Sequence, residues 1–371
     1  MNRSATDSPS PGWRWREHMP LVNTLRLPAR SGAALILDRL DADVFDQPAV
    51  TDWLAEPTTR VLGGGSNVVF VQPFVERSAH LAADAWWLET QTADRVDLVA
   101  EGGMGLDRLV RETSGRGWYG LEALAEIPGT VAAAPMQNVG AYGVELGDRV
   151  RWVDAWDRRE RRLRRLDRND CDFGYRRSRF KDEAGRWLIL RVGLTLATRP
   201  PADWPPVDYP GLSAALEAWQ AATGRPPVAM TPLAYADMIT RVRLAKLPDW
   251  RGGLPGSAGS FFHNPVVSPS RAETLARHWP EMPQYPVSDG IKIPAGWLIE
   301  RCGLRGWREG GVGVSARHAL VLLHYGGASG EGFVGFAREV RDRVFEAFGI
   351  ALVVEPECLG EECGPIFPQS K

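Results

Sequence analysis

Cysteine is scarce in this chain: 371 residues carry four, Cys171, Cys302, Cys358 and Cys363, and only the last two lie close together. That excludes a disulfide scaffold and a thiolate metal site, and points to a reduced, cytoplasmic protein in which Cys358 and Cys363 are the one pair that could bridge. Long apolar runs are missing too. None approaches the roughly 18 residues that a membrane helix requires. The first twenty residues are polar and rich in Ser, Pro and Arg; they lack the apolar centre of a signal peptide and read as a disordered tail. Net charge is nearly absent, at −2 with a sequence pI of about 6.4. The whole molecule therefore has no field to draw nucleic acid or an anionic membrane, and a negative ligand must be caught locally. There is no internal repeat, no G-x-S-x-G elbow of a serine hydrolase and no separate dinucleotide fingerprint.

What remains is an ordinary globular composition, 44% hydrophobic and 24% charged, at a length that suits two or three domains. Residues 120–143 have almost no ionisable side chains and many small ones. Gly129, Gly140 and Gly143 permit positive φ and close approach of peptide groups, Pro128 fixes a turn, and Gln137 and Asn138 supply donors and acceptors without charge. Such chemistry suits a neutral heteroaromatic ring better than a metal; the competing reading is a glycine-punctuated loop. Upstream, two apolar runs flank Gly63-Gly64-Gly65-Ser66-Asn67. Successive amides there can form a concave nest for a diphosphate, although a plain β-turn fits equally well.

Hydrophobic periodicity predicts strands at 21–25, 33–37, 96–100, 150–156, 187–196, 319–323 and 351–354. It predicts helices at 41–53, 106–115, from 212 to Gly224, from Pro232, at 295–302 and at 333–348. Six arginines crowd 158–165, but acidic interruptions and the lack of interleaved aromatics favour a solvated hairpin over a nucleic-acid patch. Residues 173–181 alternate aromatics and cations, and could present a guanidinium to an anion or form a surface strand. Five prolines in 198–210 mark a domain boundary. Arg241, Arg243 and Lys246 form a cationic helix end that suits phosphate or plain solvent, and Ser260 sits between a glycine turn and two phenylalanines, a way to hold one hydroxyl in a dry pocket.

Taken in order, these motifs resemble one family. Gly-Gly-Gly-Ser-Asn at 63–67, Ile-Pro-Gly at 127–129 followed by Gln-Asn-x-Gly-Ala-Tyr-Gly at 137–143, Tyr-Arg-x-Ser-x-Phe-Lys at 175–181, Gly-Ser-Phe-Phe-x-Asn-Pro at 259–265 and Glu-Pro-Glu at 355–357 are similar to those of UDP-N-acetylenolpyruvoylglucosamine reductases, also called UDP-N-acetylmuramate dehydrogenases. The similarity runs from about Leu21 to Cys358. It implies an α+β chain with an FAD-binding region of the vanillyl-alcohol-oxidase type, in subdomains 21–75 and 76–200, a substrate domain at 210–355, and a C-terminal segment 356–371 carrying a catalytic carboxylate. It implies non-covalent FAD, NADPH as reductant, and reduction of an enolpyruvyl nucleotide sugar for peptidoglycan synthesis, in a monomer or weak dimer.

Carried over residue by residue, the resemblance places Gly63, Gly64, Gly65, Ser66 and Asn67 at the FAD diphosphate, and Ile127, Pro128, Gly129, Thr130, Gln137, Asn138, Gly140, Ala141 and Tyr142 along the flavin. Ser260 is then the general acid, with Arg176 and Glu357 completing the catalytic set; Glu355 competes with Glu357, which follows the proline as in the family. Tyr175, Tyr209, Arg243, Lys246, Asn264, Tyr285 and Lys292 match substrate contacts of the longer subtype, in which Tyr209 belongs to a closing loop. His263 stands where the family often has lysine, 315–318 departs from the family's polar segment and receives no role, and Cys358 replaces a usual basic residue. No metal is implied. The alternatives are a flavin oxidase of the same fold, disfavoured because neither glycine stretch holds a histidine for a covalent flavin link, and a nucleotide-sugar binding protein without catalysis, in which the flavin-lining residues would be superfluous.

Overall fold

The structure is a computed structural model that describes residues 11–206 and 211–360. The chain divides into two compact units. The first takes the chain up to Met19, Ser31–Gly64 and Glu76–Val242; the second takes Pro20–Arg30, Gly65–Val75 and the chain from Arg243 onward. The crossing at 64/65 falls inside the glycine run, and that at 242/243 inside the helix Pro232–Lys246.

In the first unit a five-stranded antiparallel sheet runs in the order Arg162–Asp167, Val150–Asp157, Trp187–Ala197, Arg95–Glu101, Trp86–Gln91. Its middle strand is buried on both faces. Leu188 and Leu190 enter one core with Leu35, Leu37, Val44 and Leu54, while Trp187 and Ile189 enter the other with Leu98, Leu109 and Val153, as the period of two requires. The pairing slips at Leu190, because Arg191 faces Asp154 and Ile189 faces Ala155. That bulge changes the phase, so Val192, Leu194 and Leu196 join Ile189. The freed Leu190 carbonyl accepts from the Gly102 amide at 2.7 Å. A second sheet orders Trp13–Glu17, Arg30–Leu37, Phe74–Leu81 and Thr59–Val61. Its last pair is parallel, and it delivers the chain to Gly63.

The second unit centres on the helix Gly330–Phe348, whose Phe333, Ala337, Val340, Val344 and Phe348 form one buried stripe against Leu298, Phe261 and Phe262. Ser329 caps its start, accepting from the Gly332 amide at 3.1 Å, and Gly349 ends it in the left-handed region. Strand Val68–Phe70 pairs in parallel with Glu357–Leu359.

Most expected elements are present and several are displaced; the tail expected to be disordered through residue 20 carries the strand Trp13–Glu17, paired with Arg30–Leu37 because its tryptophans pack there. Residues 21–25 are loop, because Asn23 closes on itself: its Nδ2 donates to the Leu27 carbonyl at 2.8 Å and its Oδ1 accepts from the Leu27 amide at 3.0 Å. The helix expected at 41–53 is two, Ala42–Phe45 and Pro48–Ala55, since Pro48 cannot continue the first and suits the start of the second. The terminal strand is Glu357–Leu359, not 351–354, which keeps only a bridge at Val354. The hairpin arginines are matched by protein groups: Arg165 forks onto Asp154 at 2.7 and 2.8 Å, Arg162 and Arg164 share Glu160, and Arg158 donates to the carbonyls of Leu54, Glu56, Thr59 and Gly185.

Candidate active site

Two glycine loops meet in the first unit. A Cβ on Gly63 would lie 2.9 Å from Thr130 Oγ1, and one on Gly64 would lie 3.1 Å from the Gly129 Cα, so larger residues would drive the loops apart. Among the described residues the amides of Gly63, Gly64, Gly129 and Thr130 donate to no protein acceptor. Unpaired amides on closely packed glycine loops can make an anion nest, and their donor chemistry fits a dinucleotide diphosphate.

Beyond this nest the chain forms the hairpin Gly140–Ala141 and Val144–Glu145. Its turn residues Tyr142 and Gly143 both have positive φ, 53° and 82°, as a type I′ turn demands. Gly140 is different: its φ is ordinary, and glycine is needed because a Cβ would sit 2.9 Å from the Val144 carbonyl oxygen. Residues 174–177 close a tight turn, with Gly174 and Arg177 exchanging amide-to-carbonyl bonds at 3.0 and 3.1 Å. Arg176, third in that turn, is left-handed at φ 53°, and its Nη1 donates to the Gly140 carbonyl at 3.3 Å. Asn138, Tyr142 and Arg176 thus hold conformations that most residues avoid, in one neighbourhood, as functional sites often do.

The stretch 120–143 is less neutral than its sequence suggests, for Glu122 and Glu126 are both buried within it. Burial raises the Glu122 carboxyl above its ordinary range, against the Gly120 amide that donates to Oε2 at 2.6 Å and the Arg149 charge. The Glu126 amide is held by Asp107 at 2.6 Å.

In the second unit, Ser260, Asn67 and the Glu355-Pro356-Glu357 segment share one small framework. Residues 260–263 run between two neighbours: the Phe261 amide donates to the Leu320 carbonyl at 2.9 Å, the Glu355 amide to the Phe261 carbonyl at 2.9 Å, and the His263 amide to the Val353 carbonyl at 2.8 Å. Phe261 and Phe262 are buried and anchor this extended segment, while Ser260 is exposed. The Glu357 amide donates to the Asn67 carbonyl at 2.9 Å, and Glu357 is exposed. Glu355 is turned inward, its side chain 11% exposed with a carboxylate oxygen 3.8 Å from His263 Nδ1. Of the two glutamates, Glu357 is the more exposed. Gly65 fits where a Cβ would lie 2.2 Å from the Val22 carbonyl oxygen, and the Ser66 carbonyl accepts from Thr24 Oγ1 at 3.4 Å.

Relatives of known activity match almost the whole chain. It is 41% identical over 324 residues to the UDP-N-acetylenolpyruvoylglucosamine reductase of Pseudomonas aeruginosa, covering 86% of this chain and 92% of that one. It is 43% identical over 341 residues to that of Azoarcus sp., covering 90% and 94%. The chain belongs to the UDP-N-acetylenolpyruvoylglucosamine reductase family. The family's C-terminal domain matches residues 252–359, and an FAD binding domain matches residues 55–165. A crystal structure of the family from Thermus caldophilus superposes with a TM-score of 0.61 at 21% identity, covering 94% of this chain and all of that one, and so shares its fold. The α+β class read from the sequence, with an FAD-binding region of the vanillyl-alcohol-oxidase type, is met.

Residues matched to the family's substrate contacts fall as follows. Tyr285 and Lys292 are direct cross-strand partners, so their side chains share a face. Asn264 Oδ1 accepts from the Ala295 amide at 2.9 Å at the start of the helix Ala295–Arg301. Arg243 and Lys246 lie in the last turn of Pro232–Lys246, Tyr175 is largely exposed, and Tyr209 lies outside the described residues. His318, for which the sequence suggested no role, stands near Lys246: burial first, then the charges of Lys246 and Arg305, push its imidazole below its ordinary value. A G-x-G-x-x-G pattern does occur, at 330–335. It is no dinucleotide site, because a Cβ at Gly330 would lie 1.9 Å from the Phe70 carbonyl oxygen, which blocks the helix start, and Glu331 adds negative charge there. Among the described residues no cluster of His, Cys, Asp and Glu could hold a metal, and no helix is long and apolar enough to cross a membrane.

Proposed function

We propose that this chain reduces the enolpyruvyl ether of a UDP-N-acetylglucosamine to UDP-N-acetylmuramate, with NADPH as reductant, in peptidoglycan precursor synthesis. What carries the reading is the near full-length identity to reductases of that name, together with an FAD-binding match whose span contains the nest of unpaired glycine amides. When bound, FAD supplies two-electron chemistry, accepting hydride from NADPH and delivering it to the β-carbon of the enolpyruvyl group.

The residues have separable tasks. Gly63, Gly64, Gly129 and Thr130 offer amides to the diphosphate, and Ile127, Pro128, Gln137, Gly140, Ala141 and Tyr142 give the ring system apolar and amide contact without charge. Addition to the β-carbon builds enolate character on the α-carbon and its carboxylate, which the Arg176 guanidinium stabilises. A proton then has to reach the α-carbon. Serine is a weak acid, so Ser260 Oγ–H is competent only because the enolate is strongly basic and the hydroxyl is held rigidly by Phe261 and Phe262. Glu357 orients substrate and hydroxyl. Arg243, Lys246, Asn264, Tyr285 and Lys292, with Tyr175 and Tyr209, recognise the nucleotide sugar. We read the enzyme as cytoplasmic and as a monomer or weak dimer.

A same-fold oxidase would consume oxygen and ignore the sugar. NADPH oxidation measured under low oxygen, with and without the enolpyruvyl nucleotide sugar, separates the readings. Sugar-dependent turnover by a yellow protein is expected; oxygen-dependent turnover indifferent to the sugar would overturn the proposal.

A further inference from the structure

Asn138 is 1% exposed, and both N–H donors and the carbonyl oxygen of its side-chain amide are engaged inside the protein. Nδ2 donates to Glu145 Oε2 at 2.6 Å and to the Gly174 carbonyl at 3.0 Å, while Oδ1 accepts from the Gly147 amide at 2.8 Å. Its backbone is left-handed at φ 45°, a conformation asparagine tolerates better than most residues. These bonds gather three segments that are distant in sequence: the turn entering the 140–145 hairpin, the 145–147 connection, and the 174–177 turn. The last of these is strained. Arg176 holds φ 53° at the position where a turn of this kind usually takes glycine, and it reaches the Gly140 carbonyl at 3.3 Å. Two further bonds brace the same loop: Ser178 Oγ donates to the Met136 carbonyl at 2.5 Å, and Lys181 Nζ donates to the Arg176 carbonyl at 3.1 Å.

We propose that Asn138 is a positioning residue for Arg176, locking the strained 174–177 turn against the 140–145 hairpin, and that its side chain makes no contact with the flavin. The inference rests on the reductase reading for Arg176 and refines the motif match, which placed Asn138 among the flavin contacts. Asparagine is required by chemistry. Aspartate would set a carboxylate against Glu145 and the Gly174 carbonyl, and glutamine is a methylene too long for a fully buried slot. Energy stored in the Arg176 backbone is balanced by the bonds around it, so removing the tie lets the turn relax and the guanidinium drift.

The test is a double-mutant cycle on the FAD-loaded enzyme, Asn138→Ala and Arg176→Ala singly and together, resolving the NADPH-dependent and sugar-dependent half-reactions. Asn138→Ala is expected to slow the sugar-dependent half-reaction by about ten- to a hundredfold, the scale of a misplaced catalytic group, and to add nothing in the Arg176→Ala background. Trypsin cleavage after Arg176 or Arg177, followed by mass spectrometry with and without flavin, is expected to be faster in Asn138→Ala. Equal slowing in both backgrounds, or unchanged cleavage, would overturn the proposal. Should Asn138→Ala not fold, Asn138→Asp serves: its sugar-dependent rate should rise relative to wild type as pH falls and the pair with Glu145 takes up a proton, and a flat profile would contradict the role. If the wild-type enzyme ignored the sugar, the reductase reading would fail while the cleavage experiment still decided the role of Asn138.

Discussion

Single residues here take their chemistry from their surroundings. Ser260 is exposed beside two buried phenylalanines, and the proposed reaction asks of it one proton for the α-carbon. Ser260→Ala should slow the sugar-dependent half-reaction by roughly 10²- to 10⁴-fold, the usual worth of a general acid, and leave reduction by NADPH nearly intact; stopped-flow flavin absorbance distinguishes the two steps. His80 illustrates a different consequence of burial. Its Nε2 lies 2.9 Å from Ser78 Oγ, which donates to Ser31 Oγ at 2.8 Å, which donates to the Ala33 carbonyl at 2.8 Å. With the hydroxyl protons directed down that chain, His80 is the Nε2–H tautomer, and desolvation lowers its pKa to about 4 from 6.5. A histidine whose folded pKa is depressed stays neutral while the unfolded chain protonates. Its contribution is complete above pH 6.5 and is lost progressively as pH falls toward 4, by up to about 3 kcal/mol. His80→Gln should flatten the fall in Tm over that window; an unchanged slope would mean that His80 is not the source.

At the scale of elements, the loops matter more than the helices and strands. Gly64→Ala places a methyl against the Gly129 Cα at 3.1 Å, in the nest proposed for the FAD diphosphate. It should weaken FAD retention by tenfold or more, on the order of one or two lost charge-assisted hydrogen bonds, with little change in far-ultraviolet circular dichroism; FAD release on dilution measures it. The regular elements were legible beforehand because periodicity reports burial. The alternation across 187–196 and the stripe Phe333 to Phe348 both led to the right element. Local competition obscured the rest. Asn23 binds its own loop and turns an apolar run into coil. The last strand forms where Val68–Phe70 can pair with it, not where hydrophobicity peaks. The motifs at 63–67, 127–143, 175–181, 259–265 and 355–357 were readable because their glycines, prolines and amides answer to specific backbone needs. That Asn138 braces Arg176 was not readable, since no local pattern tells which carbonyl an amide will reach 36 residues away.

For the molecule as a whole, the glycine run is the joint of the chain's organisation. Gly63 and Gly64 belong to the first unit, where they pack on Gly129 and Thr130; Gly65, Ser66 and Asn67 belong to the second, where Asn67 holds the amide of Glu357. The glycine run proposed for the cofactor thus leads directly into the backbone that holds Glu357 by a hydrogen bond. The low net charge fits a protein that binds its anions with local amides and arginines. The most direct measurement of the proposed function is the stoichiometry of the complete reaction. Incubated with limiting enolpyruvyl nucleotide sugar and excess NADPH under low oxygen, the enzyme should oxidise one NADPH per sugar and yield a product heavier by two hydrogens. NADPH loss without that product, or product formed without NADPH loss, would contradict it.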